Sequence, residues 1–119
     1  MQYMLLFYEI PAEQARADDP EQVQAYWGAW NAYVGALEGS GLVRAGNGLA
    51  APRTATTVRV VNGQRQVQDG PFADTREHLG GYFILEAETL DEVLAWAVRA
   101  PCASAGSVEV RPVLDPPSA

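Results

Sequence analysis

Tyr82-Phe83-Ile84-Leu85-Glu86, then Ala87-Glu88-Thr89-Leu90-Asp91-Glu92, then Val93-Leu94-Ala95-Trp96-Ala97, sets a strand against a helix within one short stretch. The opening run is almost continuously apolar, as a central strand covered on both faces requires. Thr89 and Glu92 form a Thr-x-x-Glu capping box, whose hydroxyl and carboxylate satisfy backbone N–H groups where a helix begins. Pro101 stops that helix, and Ser107 to Val113 follows as a strand in which Val108 and Val110 alternate with Glu109 and Arg111.

The N-terminal third repeats the pattern. Gln2 to Tyr8 is short, apolar and aromatic and closes near Pro11, which suits a strand. A polar, Ala-rich loop leads to Asp19-Pro20-Glu21-Gln22, where an N-cap candidate and Pro at the first helical position favour helix initiation. Val23, Trp27, Trp30, Val34 and Leu37 then recur at steps of four and three, predicting a helix that buries this stripe and ends near Gly39-Ser40-Gly41. Leu42 to Ala45 reads as a short strand broken by a Gly46-Asn47-Gly48 turn.

Between these halves lies a hairpin. Thr54 to Val61 is rich in β-branched residues, Asn62-Gly63 supplies the positive φ of a type I′ turn, and Gln64 to Gln68 returns. The return strand has Val67 as its one aliphatic residue and belongs at an edge or over solvent. Asp69-Gly70-Pro71 turns the chain into a loop ending at Gly80-Gly81. The order strand, helix, strand, hairpin, strand, helix, strand contains two split βαβ passes. It predicts an α+β, ferredoxin-like sheet with two helices on one face, in a single domain over 1–113 with a Pro-rich tail over 114–119. The other sheet face stays uncovered, so a homodimer is expected, with a pocket close to or shared across its interface.

Composition narrows the function classes. A chain of 119 residues holds one domain, and 48% hydrophobic residues suffice for a core. The formal charge of −7 opposes approach to nucleic-acid phosphates and anionic lipid. The longest apolar runs, Met4 to Tyr8 and Tyr82 to Leu85, are too short to span a bilayer. Cys102, the single cysteine, cannot form an intrachain disulfide, so a reducing cytoplasm is the expected setting and packing its expected role. One His and one Cys fall short of a zinc set, and no glycine-rich nucleotide fingerprint occurs, so the reading carries neither metal nor cofactor.

His78 is the single imidazole, the side chain best suited to proton exchange near neutral pH, and it falls in the loop before Gly80-Gly81. It is either a solvated loop residue or half of an acid/base pair with Asp69, Asp74 or Glu77. Asp69 has the same two readings: with Gly70 and Pro71 it makes a turn, and against an apolar wall it is a carboxylate for acid or base work. Phe72 anchors the loop in the first case and meets a ligand in the second. Tyr26 and Tyr33 sit at the edge of the helical stripe and are the candidates for a ligand-facing hydroxyl, with Tyr26 placed at the substrate. Arg59 and Arg65 flank the hairpin turn and are either solvated charges or a clamp for an anionic substrate, with Arg59 the candidate.

The opening Gln2-Tyr3-Met4-Leu5-Leu6, the Thr54 to Arg59 strand, Asp69-Gly70-Pro71-Phe72-Ala73-Asp74-Thr75-Arg76-Glu77-His78-Leu79-Gly80-Gly81-Tyr82 and Val108-Glu109-Val110-Arg111-Pro112 together resemble the YCII-related, DGPF-domain proteins. The resemblance runs nearly end to end and implies a bacterial protein with a ferredoxin-like fold in a dimeric α/β barrel. In the wider superfamily a His and Asp pair is a proposed acid/base dyad, its His in the first helix. The matching stretch here carries Trp30, which leaves Asp69 and His78 as substitutes. DGPF proteins are also similar to genes beside, or fused to, extracytoplasmic-function sigma factors. Two functions follow as expectations. One is a cofactor-free acid/base enzyme of lyase or isomerase type on a small molecule, with Asp69 or His78 as base and Tyr26 or Arg59 positioning the substrate. The other is a non-catalytic dimer that binds a metabolite or such a sigma factor and reports on it.

Overall fold

The computed structural model describes residues 1–71 and 76–115. Phe72 and Asp74, and the tail from 116 onward, lie outside them.

Strand β1 (Gln2–Glu9) runs through the middle of a four-stranded sheet. Its side chains alternate between the two faces, as a pleated strand requires. Tyr3, Leu5, Phe7 and Glu9 are buried, whereas Met4, Leu6 and Tyr8 are half-buried on the reverse face. Strand β5 (His78–Glu86) pairs antiparallel with β1 on one side, and β6 (Ser107–Pro112) on the other. Strand β2 (Val43–Gly48) pairs antiparallel with the outer side of β5, giving the order β2-β5-β1-β6. β1 and β2 are therefore parallel with β5 between them, and β5 and β6 are parallel with β1 between them. Helices α2 (Val23–Gly39) and α3 (Leu90–Ala97) make these two crossovers. Tyr33 and Leu37 from α2 and Val93 and Ala97 from α3 join Tyr3, Leu5, Phe7 and Leu85 in one core, so both helices cover the same face. The α+β architecture with its split sheet is the expected one. Among the described residues no helix is long and apolar enough to cross a membrane.

Thr89 caps the helix as predicted: its hydroxyl oxygen accepts a hydrogen bond from the Glu92 backbone N–H at 3.3 Å. The stretch after β1 is not a loop. Pro11–Ala15 forms a short helix, α1, which a turn of tighter helix continues over Arg16–Asp18. Pro11 fixes the φ its first turn needs, and Ala and Gln sustain it. The second helix starts at Val23 rather than Pro20, because Asp19 organises the preceding turn: its carboxylate accepts from the Glu21 N–H at 2.9 Å and the Gln22 amide at 2.8 Å.

The buried stripe of α2 is rotated from the predicted one. Tyr26, Tyr33 and Leu37 are buried, Trp30 and Val34 pack against the core, and Trp27 is 49% exposed. The tyrosines can be buried because their polar tips are satisfied. The Tyr33 hydroxyl donates to the Trp96 carbonyl at 3.0 Å, and the Tyr26 hydroxyl donates to Glu9.

Gly46-Asn47-Gly48 belongs to β2 rather than to a turn. Gly46 is required by packing: a Cβ there would lie 2.3 Å from the Phe83 ring, so the glycine makes room for an aromatic side chain. The hairpin forms as predicted, with φ of 51° at Asn62 and 76° at Gly63. Its strands, β3 (Thr56–Val61) and β4 (Gln64–Asp69), make a separate two-stranded sheet that joins no other strand among the described residues. It forms an arm whose residues are exposed apart from half-buried Thr57.

Candidate active site

β1 ends on a residue that breaks the logic of its own alternation. After Tyr3, Leu5 and Phe7, the position that faces the helices holds Glu9, only 6% exposed. A carboxylate in that place needs donors. Tyr26, from the first turn of α2, places its hydroxyl 2.8 Å from Glu9 Oε1 and 2.7 Å from Oε2. Burial pushes the Glu9 carboxyl above the usual carboxylate range; hydrogen bonding from Tyr26 opposes this, nearby Glu13 adds to it, and the Trp30 side chain opposes it further. Burial likewise drives the Tyr26 hydroxyl above its ordinary value, and its bond to Glu9 acts in the same sense. Tyr26 is therefore a fixed donor, and Glu9 is a carboxyl held closer to its protonated form.

β5 supplies the second group. Phe7 is opposite Gly81 and Tyr8 is opposite Leu79, so Gly80 is the extra residue of a β-bulge. The bulge changes which residues face the helices. In a regular ladder Leu79 would follow Gly81 on that face; with Gly80 bulged, His78 pairs with Glu9 and shares its face. Gly80 also leaves room for the carboxylate, since a Cβ there would sit 3.0 Å from Glu9 Oε1.

Glu9, Tyr26 and His78 line one cleft of about 720 Å³. α2 forms one wall, with Trp27, Trp30 and Val34. The segment that leaves β2, from Leu49 to Arg53, forms another. Phe7 lies at the base, edge-on to Trp30 at 5.3 Å and to Phe83 at 6.1 Å between ring centroids. At the rim, Arg53 and Asp18, both lining residues, form an exposed ion pair at 3.3 Å. The cleft is thus an apolar, aromatic-walled slot whose lining includes a carboxyl, a phenol and an imidazole. That is the usual composition of a small-molecule site. Among the described residues no cluster of three or more His, Cys, Asp or Glu could hold a metal ion.

Two of the residues named from sequence, Tyr26 and His78, line the cleft, whereas Tyr33 is buried with its hydroxyl on the Trp96 carbonyl and does not. His78 is the first residue of β5 rather than part of a loop. Asp69 ends β4, exposed and opposite Thr56, and does not line the cleft. Arg59 is exposed on the arm and does not line it either. Of the other carboxylates near His78 in sequence, Glu77 accepts a hydrogen bond from the Ser107 hydroxyl. Phe72 and Asp74 lie outside the described residues. Glu9 was missed, although its signal is visible in Tyr3, Leu5, Phe7, Glu9: a carboxylate at the position where a two-residue alternation calls for an apolar side chain.

The YCII-related domain model matches residues 1–116. An uncharacterized protein of Rhizobium meliloti (strain 1021) is 42% identical over 67 residues, a stretch covering 55% of this chain and 54% of that protein. The match thus spans about half the length of that curated relative. Among solved structures, the chain is similar to 5-chloro-2-hydroxyhydroquinone dehydrochlorinase from Burkholderia phenoliruptrix AC1100, in complex with 2,5-dihydroxybenzoquinone. The TM-score is 0.53 and the identity 21%, over 96% of this chain and 94% of that one, a likeness of fold.

Proposed function

The chain belongs to the YCII-related domain family, and from that membership and the cleft we propose that it is an acid/base enzyme acting on a small ring compound with an acidic hydroxyl or C–H group. The observation that carries this reading is the buried Glu9 carboxyl, fixed by the Tyr26 hydroxyl and paired across the sheet with His78 at the end of an aromatic-walled slot.

A carboxyl raised by burial accepts and returns protons closer to neutral pH than an exposed one, which is what general acid/base work requires. In its ionised form Glu9 takes a proton from the ring. The electron pair left behind is then either protonated at a second position by His78, an isomerisation, or expels a leaving group, an elimination. Tyr26 holds the carboxylate in place throughout, and Phe7, Trp27 and Trp30 hold a flat ring against it. The similar solved structure supports a ring substrate, since that enzyme is a dehydrochlorinase named for a chlorinated, hydroxylated ring. The sheet face opposite the helices supports a dimer as the working unit, its half-buried Met4, Leu6 and Tyr8 needing cover.

A panel of hydroxylated and chlorinated hydroquinones and quinones tests the reading. Trp27 and Trp30 report binding through fluorescence, and chloride release or deuterium uptake from D2O reports turnover. At least one ring is expected to quench saturably and to turn over. Saturable quenching without product from any member would make the cleft a binding site only, and no quenching at all would remove the ring reading.

A further inference from the structure

Resting on the ring reading of the cleft, we infer that Gly48 is a substrate-binding residue: with Gly81 it forms a bare backbone shelf on which one face of a flat ring lies. Gly46, Gly48, Gly80 and Gly81 all line the cleft, and three of them answer to the protein's own packing. A Cβ on Gly46 would run into the Phe83 ring, one on Gly80 would lie 3.0 Å from Glu9 Oε1, and one on Gly81 would lie 2.9 Å from the Asn47 carbonyl oxygen. Gly48 has no such reason. A Cβ there would meet nothing within 4 Å, and its φ lies outside the left-handed region that favours glycine. Glycine weakens a strand, because it brings no side chain to pack and costs backbone entropy, so its place at the end of β2 has another cause.

The ladder supplies that cause. Phe7 is opposite Gly81 on β5, and Gly81 is opposite Gly48 on β2. Residues opposite one another share a face of the sheet, so a side chain on Gly48 would stand on the helix-facing side with Phe7, in the cleft that both line. The row that starts at Phe7 therefore ends in two positions without side chains, about 5 Å apart across the strands. One row on, about 7 Å along β1, Glu9 is opposite His78. One row back, the Phe83 ring covers Gly46. The shelf thus lies between the Glu9 row and an aromatic ring, with the α2 wall of Trp27 and Trp30 across the cleft from it. The Leu49 N–H donates to the Gly80 carbonyl at 2.9 Å and ties down its outer end. A flat ring that reaches Glu9 extends over these peptide groups. With no side chain beneath, it comes into van der Waals contact with the backbone.

Trp fluorescence titrations of chlorinated hydroquinones and quinones test the shelf, using wild type, Gly48→Ala, Gly48→Val and a control, Gly35→Ala, at an exposed α2 position outside the cleft. The dissociation constant is expected to rise about 10-fold for Gly48→Ala and on the order of 100-fold for Gly48→Val, as added methyl groups lift the ring. Gly35→Ala should leave it unchanged. The urea midpoint of Gly48→Ala should equal or exceed that of wild type, which a merely structural glycine would not allow. Wild-type affinity in Gly48→Val, or a lowered urea midpoint in Gly48→Ala, would overturn the shelf even if wild type turns a ring over. Binding without turnover by wild type, weakened in both Gly48 variants, would remove the acid/base reading and uphold the shelf. A wild type that binds no ring would overturn both.

Discussion

The Tyr26 hydroxyl reaches both carboxylate oxygens of Glu9, at 2.8 and 2.7 Å, and so joins the end of the central strand to the start of the helix that covers it. The contact is structural and chemical at once. It closes the core at that corner and fixes the orientation of the only carboxylate buried among the described residues.

Replacing Tyr26 with Phe keeps the ring and removes the donor. The buried carboxylate then loses a charge-assisted hydrogen bond, and the fold should lose about 1.5–3 kcal/mol in urea unfolding. Because that bond lowers the Glu9 pKa, the variant should also move the carboxyl further upward, which carboxyl ¹³C NMR reads directly.

Glu9 also sets a pH dependence whose sign is fixed by burial. Its folded-state pKa lies above the unfolded value, so the folded chain holds this proton more tightly. The stability so gained is complete below the unfolded pKa of about 4.3 and is lost as pH rises through the folded value. Gln at this position does not titrate. The stability of Glu9→Gln relative to wild type should therefore increase between about pH 4 and pH 7, and an unchanging difference would show that burial does not perturb the group.

Two glycines should respond to Ala with opposite signs. At Gly46 the added methyl meets the Phe83 ring, so the variant should lose about 1–3 kcal/mol and disturb the cleft wall. At Gly28, inside α2 with nothing within 4 Å of a Cβ, the same change should add about 0.5–1 kcal/mol through helix propensity. Urea midpoints of the two variants, measured together, check the contrast.

Cys102 should be inert in the folded protein. It is 2% exposed, and burial pushes its thiol up to about 12. Reaction with a disulfide reagent near neutral pH should run on the order of 10³-fold slower than in the urea-unfolded chain. Equal rates would mean that this corner of the core opens freely.

The elements that position the site were legible where local chemistry decides them. Thr89 caps its helix and Asn62 with Gly63 turns its hairpin because caps and tight turns depend on a few adjacent residues. What escaped depends on contacts remote in sequence. Gly46 lies in a strand because Phe83 occupies the space a side chain would fill. The α2 stripe turns toward Tyr26 and Tyr33 because Glu9 and the Trp96 carbonyl are there to accept their hydroxyls. The site followed the same division. His78 was found by residue type, but its partner was sought among neighbours in the chain, Asp69 first. The bulge at Gly80 instead sets it opposite Glu9 in the ladder, 69 residues earlier.

The acid/base role of Glu9 is tested most directly by comparing turnover of the best ring substrate by wild type, Glu9→Gln and Glu88→Gln, the last a control at an exposed carboxylate outside the cleft. Loss of about 10²–10⁴-fold in kcat for Glu9→Gln alone, with the dissociation constant read by Trp fluorescence held within about threefold, is the predicted result. A Glu9→Gln variant that turns over at the wild-type rate would contradict it.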